Sequence, residues 1–426
     1  MSSEKSHGFR EKISFIHGNV LVVAVTIGFW SFGMRMTQSY ASLYILALGA
    51  TPFILGIISA TSTFVLAFMR IPGGYIADRW GRKKVIYILT FFVALTYFIY
   101  AFAVDWKWIL VAAILSSLSL LYQPALQAII ADSLPPESRG VGYSIIRLVP
   151  TIVGIPGSII ALILVGKMGL VPGMRIAYSV AATMGIMAAL FRWLFLKETL
   201  TKHEGFEANS FEKVSREVFS KLFEAMRKVR KEFLIVLFVY TVFSFASAVI
   251  LSGRGAGEVA GAGLWMVYAA DVLKLSEVDW GWVVTFGRIV TAVLIVPLGI
   301  LVDKLGRKIS FLIFLLMASI STYLFIHPTS SYMIFIAYSI YMTARFCIMT
   351  AYQSLRADLI PQEMRGRVIG GSELIISFVS VPASILGGYL YTYLSPQIPF
   401  TIFMLTTLIC ALITLVALKE PKTREK

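Results

Sequence analysis

Apolar runs long enough to cross a bilayer recur from one end of this 426-residue chain to the other. Val20–Trp30, Val85–Ala103 and Phe311–Ile326 are apolar on every side of a helix. With their flanks they approach the roughly 20 residues that a spanning helix needs. The pattern predicts twelve spans, near 18–47, 53–76, 85–104, 108–131, 141–166 and 174–196, then 233–273, 280–302, 309–326, 331–355, 368–393 and 398–418. Within lipid each backbone must satisfy its own polar groups, so the chain is read as an all-α integral membrane protein.

Charge distribution supports that reading. Charged residues are only 14% of the chain, against about 25% in a soluble domain. The net charge of +15 would suit nucleic acid, but its placement does not. With alternating spans and a cytoplasmic amino terminus, 27 Lys and Arg lie inside and seven within spans; four (Lys107, Lys167, Arg175, Lys274) lie outside. That asymmetry records topology. It predicts a multi-pass protein of the cell membrane, surrounded by lipid, with both termini cytoplasmic and no nucleic-acid partner. The two cysteines and four scattered histidines form no disulfide framework and no metal site, and no cofactor is expected.

An internal repeat divides the chain. Gly74-Tyr-Ile-Ala-Asp78-Arg79-Trp-Gly81-Arg82-Lys83 returns 225 residues later as Gly299-Ile-Leu-Val-Asp303-Lys304-Leu-Gly306-Arg307-Lys308. Asp132-Ser-Leu-Pro135-Pro-Glu137-Ser-Arg139-Gly140 returns, shifted by 226, as Asp358-Leu-Ile-Pro361-Gln-Glu363-Met-Arg365-Gly366. The expected organisation is a cytoplasmic tail (1–17), a six-helix bundle (18–196), a linker (197–232), a second six-helix bundle (233–418) and a tail (419–426). A pseudo-two-fold axis along the membrane normal would relate the bundles. Apolar residues at helical spacing from Phe211 to Val229 make the linker either an amphipathic surface helix or a simple tether.

These repeated loops, inside twelve spans, resemble the major facilitator superfamily over nearly the whole chain. The resemblance implies a monomeric secondary transporter, not an enzyme. It would move a small solute by alternating access around a central site, driven by an ion gradient. It also implies that the signature loops latch the closed cytoplasmic face. Gly74 would let helices approach, Gly81 would permit the tight turn, and Asp78, Arg82 and Asp132 would form one charge relay. Arg139, Asp303, Arg307, Asp358 and Arg365 are the corresponding charges of the other loops. The alternative is that these charges only fix orientation.

Charges inside the membrane are functional candidates. Arg70 and Arg192 lie near cytoplasmic ends and are expected to snorkel. Arg35 lies about 18 Å into span one, Arg288 about 14 Å into span eight and Arg345 about 21 Å into span ten. The resemblance places spans one and ten on the central cavity, with span eight flanking it. Gln38, Tyr122 and Gln123 add hydrogen-bonding groups, although helix packing accounts for them equally well. Glu258 cannot neutralise three guanidiniums, which favours an organic or inorganic anion as substrate; the alternative gives each arginine backbone carbonyls or water. Residues 252–263, rich in glycine, are either an unwound part of span seven or an external loop.

Arg147 and Glu373 are 226 residues apart, each seven beyond its turn glycine and about 10 Å into the membrane. They are a candidate gate pair across the pseudo-axis, or each pairs within its own half. Glu373 and Glu258 are the proton-coupling candidates, H+ being the expected coupling ion. An efflux antiporter for drugs or hydrophobic solutes is the runner-up. A channel or membrane sensor is the reading from a different class. No Walker A sequence supports ATP-driven transport.

Overall fold

The computed structural model describes residues 18–134, 139–200, 229–251, 263–360 and 364–418, and the regular structure among them is helical. α1 runs Gly18–Gln38, α2 Ala41–Ala47, α3 Pro52–Trp80, α4 Arg82–Phe102 and α5 Trp106–Ser119. A 3-10 turn, Leu120–Tyr122, leads into α6, Gln123–Ser133; α7 is Arg139–Met168 and α8 Leu170–Phe195. The second half contains α9 Lys231–Val249, α10 Leu264–Asp271, α11 Glu277–Leu305 and α12 Arg307–Ile326. It ends with α13 Ser331–Leu359, α14 Arg365–Tyr393 and α15 Ile398–Ala417. Twelve stretches among the described residues are long and apolar enough to cross a membrane, the number that the sequence predicts.

Local chemistry sets the helix ends. Gly81 (φ 90°) and Gly306 (φ 88°), at equivalent places in the repeat, turn the chain between α3 and α4 and between α11 and α12. Only glycine takes that backbone without strain. On the opposite side, Asp105 accepts from the amides of Lys107 and Trp108 to cap α5, and Ser276 caps α11 through the Asp279 amide. Pro124 cannot donate to the carbonyl four residues earlier, and span four passes through the 3-10 turn there.

Two compact units divide the chain: Met1–Thr37 with Phe68–Lys213, and Gln38–Ala67 with Val214–Lys426. In the first, α4 packs along α8, and α7 and α5 pack against α8 and α4 respectively. Gly33 meets Ala181, and Gly185 meets Ala94 and Trp30, so small residues bring α1, α4 and α8 together. The second repeats the scheme, with α12 against α15 and α13, α11 against α13, and α9 against α14 and α15.

Residues 38–67 were expected with the first bundle, yet they cluster with the second unit. Close contacts explain this. An added Cβ at Gly56 would lie 2.5 Å from the Ser384 carbonyl oxygen, and one at Gly388 would lie 2.5 Å from that of Pro52. The Phe53 amide donates to Thr392 at 2.9 Å.

Two spans differ from the sequence expectation. Span one, expected as a single helix over 18–47, breaks at Ser39 and Tyr40. Both side chains are tied to α11: Ser39 accepts from Arg288 at 3.2 Å, and the Tyr40 hydroxyl donates to the Glu277 carbonyl at 3.1 Å. Span seven, expected over 233–273, is α9 followed by α10. The Leu264 amide donates to the Ile250 carbonyl at 3.0 Å, so the chain returns at 263 to the point it left at 251. Both neck residues, Leu251 and Gly263, have positive φ. Residues 252–262 and the linker helix expected between 211 and 229 lie outside the described residues, apart from Val229.

Candidate functional site

In the second unit, α11 and α13 are joined at mid-height by a 3.1 Å hydrogen bond between Thr291 and Thr343. Gly287 meets Met342 and Tyr338 one turn earlier, keeping the same offset of about 52 residues. That register places Arg345 five residues beyond the level of Arg288, about 7 Å further along the bundle. The two differ in their partners. Arg288 donates to Ser39, at the break in span one. Arg345 is half-buried, and no hydrogen bond or ion pair satisfies its guanidinium among the described residues.

In the first unit, the stem of Arg35 crosses α7 at Gly154. An added Cβ there would lie 2.6 Å from the Arg35 Cγ and 3.3 Å from its Nε. Gly154 therefore forms a slot in span five through which the span-one side chain runs. Gln38, at the end of α1, and Gln123, at the start of α6, are half-buried. Tyr122 is turned into the bundle, 5% exposed, with the Arg192 guanidinium 5.5 Å above its ring.

Arg192 does not snorkel. It is 2% exposed, donating from Nε to Thr26 at 3.1 Å and from Nη1 to Thr90 at 2.6 Å. It thereby braces α1, α4 and α8 against Tyr122 with no carboxylate among the described residues. The signal was periodicity: Ala181, Gly185, Ala188 and Arg192 share the buried face of α8, whereas Met187, Leu190 and Trp193 are exposed.

The signature turns form ion pairs at equivalent places. Arg82 pairs with Asp132, and Arg307 pairs with Asp358 at 2.7 Å. Glu373 accepts from Arg356 at 3.2 Å, joining α14 to α13 inside one half. The surroundings of Gly74, the side chains of Arg70, Asp78, Arg139, Arg147, Asp303 and Arg365, and all of Glu258 lie outside the described residues. No group of three or more metal-ligating side chains converges among the described residues.

The sequence profile of the Major Facilitator Superfamily matches residues 23–255 and 254–426. The chain belongs to the major facilitator superfamily. This major facilitator is 22% identical over 408 residues to an uncharacterised MFS-type transporter of Methanocaldococcus jannaschii, covering 91% of this chain and 93% of that one. A second from the same organism is 24% identical over 353 residues, with 83% and 86% covered. Solved structures of the same fold include a POT family transporter in complex with a thioalcohol-conjugated peptide (TM-score 0.71, 14% identity, 95% of this chain and 98% of that one). A mutant form of the nucleoside transporter NupG reaches 0.71 at 16% identity, with 94% and 100% covered. The human organic anion transporter MFSD10 (TETRAN) gives 0.63 at 16% identity, with 93% and 98% covered.

Proposed function

We propose that this major facilitator carries a small anionic solute by alternating access, with protons as the coupling ion. The observation that carries the reading is Arg345, a half-buried cation at mid-height of its span with no protein partner among the described residues. A charge inside a membrane domain is costly unless something neutralises it, and a carboxylate or phosphate matches a guanidinium fork. Arg288 and Arg35 are the further candidate ligands, one oriented by Ser39 and the other by the Gly154 slot. Gln38, Gln123 and Tyr122 are the further candidate hydrogen-bonding groups, the Tyr122 ring lying against Arg192.

For coupling, Glu373 is the candidate proton acceptor; it pairs with Arg356 within its own half, and a gate with Arg147 stays the other reading. A proton on Glu373 would cancel its charge and loosen the tie between α13 and α14. The paired turns Arg82–Asp132 and Arg307–Asp358 are the proposed cytoplasmic latches, each joining consecutive span pairs within its own half. The Gly56–Ser384 and Gly388–Pro52 contacts are the proposed outer seam.

A thermal-shift screen of purified protein against small carboxylates, phosphates and lipophilic cations tests the substrate class. The reading expects saturable stabilisation by one anion group that Arg345→Gln removes. Stabilisation by lipophilic cations alone would favour the efflux alternative.

A further inference from the structure

Three helix ends converge at the basic end of the first unit, the end that the charge asymmetry assigns to the cytoplasm. The end of α3, the start of α4 and the end of α8 enclose an open groove of about 400 Å³. Its walls include Trp80 and Trp193, which are 58% and 52% exposed, and Tyr87, one turn into α4. Lys83 and Lys84 supply its charge. The Glu198 carboxylate also lines it, but its oxygens accept from the backbone amides of Lys83, Thr199 and Leu200. No carboxylate pairs with either ammonium group among the described residues, so the groove, flanked by two indoles, carries two lysine charges against the one on Glu198.

Apolar surface continues from this groove towards the membrane centre. On α4, Phe91 and Leu95 follow Lys84 at helical spacing, and on α8, Leu190 and Met187 precede Trp193; all four are exposed. α4 and α8 pack along each other, and these exposed residues continue, at helical spacing, the faces that Lys84, Tyr87 and Trp193 present to the groove. A polar, cationic head chamber opening into an apolar seam fits a molecule with the same division. Indole rings settle at the headgroup level, and basic pockets between helices on the cytoplasmic side hold anionic headgroups.

We propose that the groove between Trp80, Lys83, Lys84, Tyr87 and Trp193 binds the phosphate headgroup of an anionic phospholipid, with an acyl chain in the α4–α8 seam. Lys83 and Lys84 are the phosphate ligands, and the tryptophans fix headgroup depth. The site also touches the start of the linker, because Glu198 follows α8 directly and Asn19 grips Lys197 through two hydrogen bonds (2.7 and 3.0 Å). A seated lipid would therefore rest against the chain's exit from the first bundle.

Native mass spectrometry of the full chain in neutral detergent tests this, with phosphatidylglycerol, phosphatidylcholine and glycerophosphate as probes. Phosphatidylglycerol should bind in preference to phosphatidylcholine. Lys84→Gln should weaken phosphatidylglycerol about fivefold and Lys83→Gln/Lys84→Gln about 25-fold, the fold-changes for about 1 kcal/mol per cation near an anionic lipid. Phosphatidylcholine adducts should not change. Lys84 is exposed and makes no hydrogen bond among the described residues, so its single variant remains decisive if the double one misfolds. Equal binding of the two lipids, or wild-type affinity for phosphatidylglycerol in the lysine variants, would overturn the proposal. Displacement of the lipid by equimolar glycerophosphate would also overturn it, because the site would then serve a free phosphate ester.

Discussion

At the residue scale, Arg192 shows how a buried cation can be satisfied without an acid. Thr26 and Thr90 each donate a hydroxyl to a carbonyl of their own helix, Val23 and Ile86, and accept from the guanidinium. The hydroxyls therefore stay bonded if the arginine is lost, whereas the arginine is stranded if a hydroxyl is lost. Thr90→Val should lower stability by about 1–3 kcal/mol, and Arg192→Met should cost less, both read as melting temperature in detergent. A second residue test lies at Lys274, where φ is 56° and the side chain is exposed. Its repeat mate, 225 residues earlier, is Gly49 at φ 85°. Lys274→Gly should stabilise by about 0.5–1 kcal/mol, relief of left-handed strain exceeding the entropy glycine adds to the unfolded chain. The sequence identified the arginines within spans but not their partners. Hydropathy reports how many charges a span holds, and partners come from helices more than 100 residues away.

At the element scale, glycines in one helix do different work. Gly154 faces the flexible stem of Arg35, whereas Gly157 faces the backbone carbonyl of Phe32, 2.5 Å from an added Cβ. A stem can swing aside and a backbone cannot. Gly154→Ala should keep the fold and raise the substrate concentration for half-maximal binding severalfold, because a 1 Å displacement of a ligand residue is costly. Gly157→Ala should instead destabilise by about 2 kcal/mol, an overpacking cost visible in the melt. That Gly154 opens a slot for span one required coordinates, because a glycine in an apolar run does not show which neighbour it admits. Span seven is similar: apolar length alone joined 233–273, and only the Leu264–Ile250 hydrogen bond shows that the excess leaves and re-enters at one point.

At the scale of the whole molecule, the repeat was the most legible feature. It appears as matched glycine turns at 81 and 306 and matched ion pairs at 82–132 and 307–358. Less legible was where residues 38–67 pack, since close backbone approach at Gly56 and Gly388 leaves no mark beyond small residues. If Glu373 carries the coupling proton, Glu373→Gln should abolish accumulation driven by a pH gradient in proteoliposomes while solute exchange at equal pH persists; loss of both would place the residue in the fold or the solute path. The anion-carrier claim itself rests on Arg345, and it is tested most directly by equilibrium binding of the stabilising anion to purified wild-type, Arg345→Lys and Arg345→Gln proteins of equal melting temperature. The account predicts at least tenfold weaker binding for Lys, which loses the bidentate fork, and a greater loss for Gln. Unchanged affinity in both variants would contradict it.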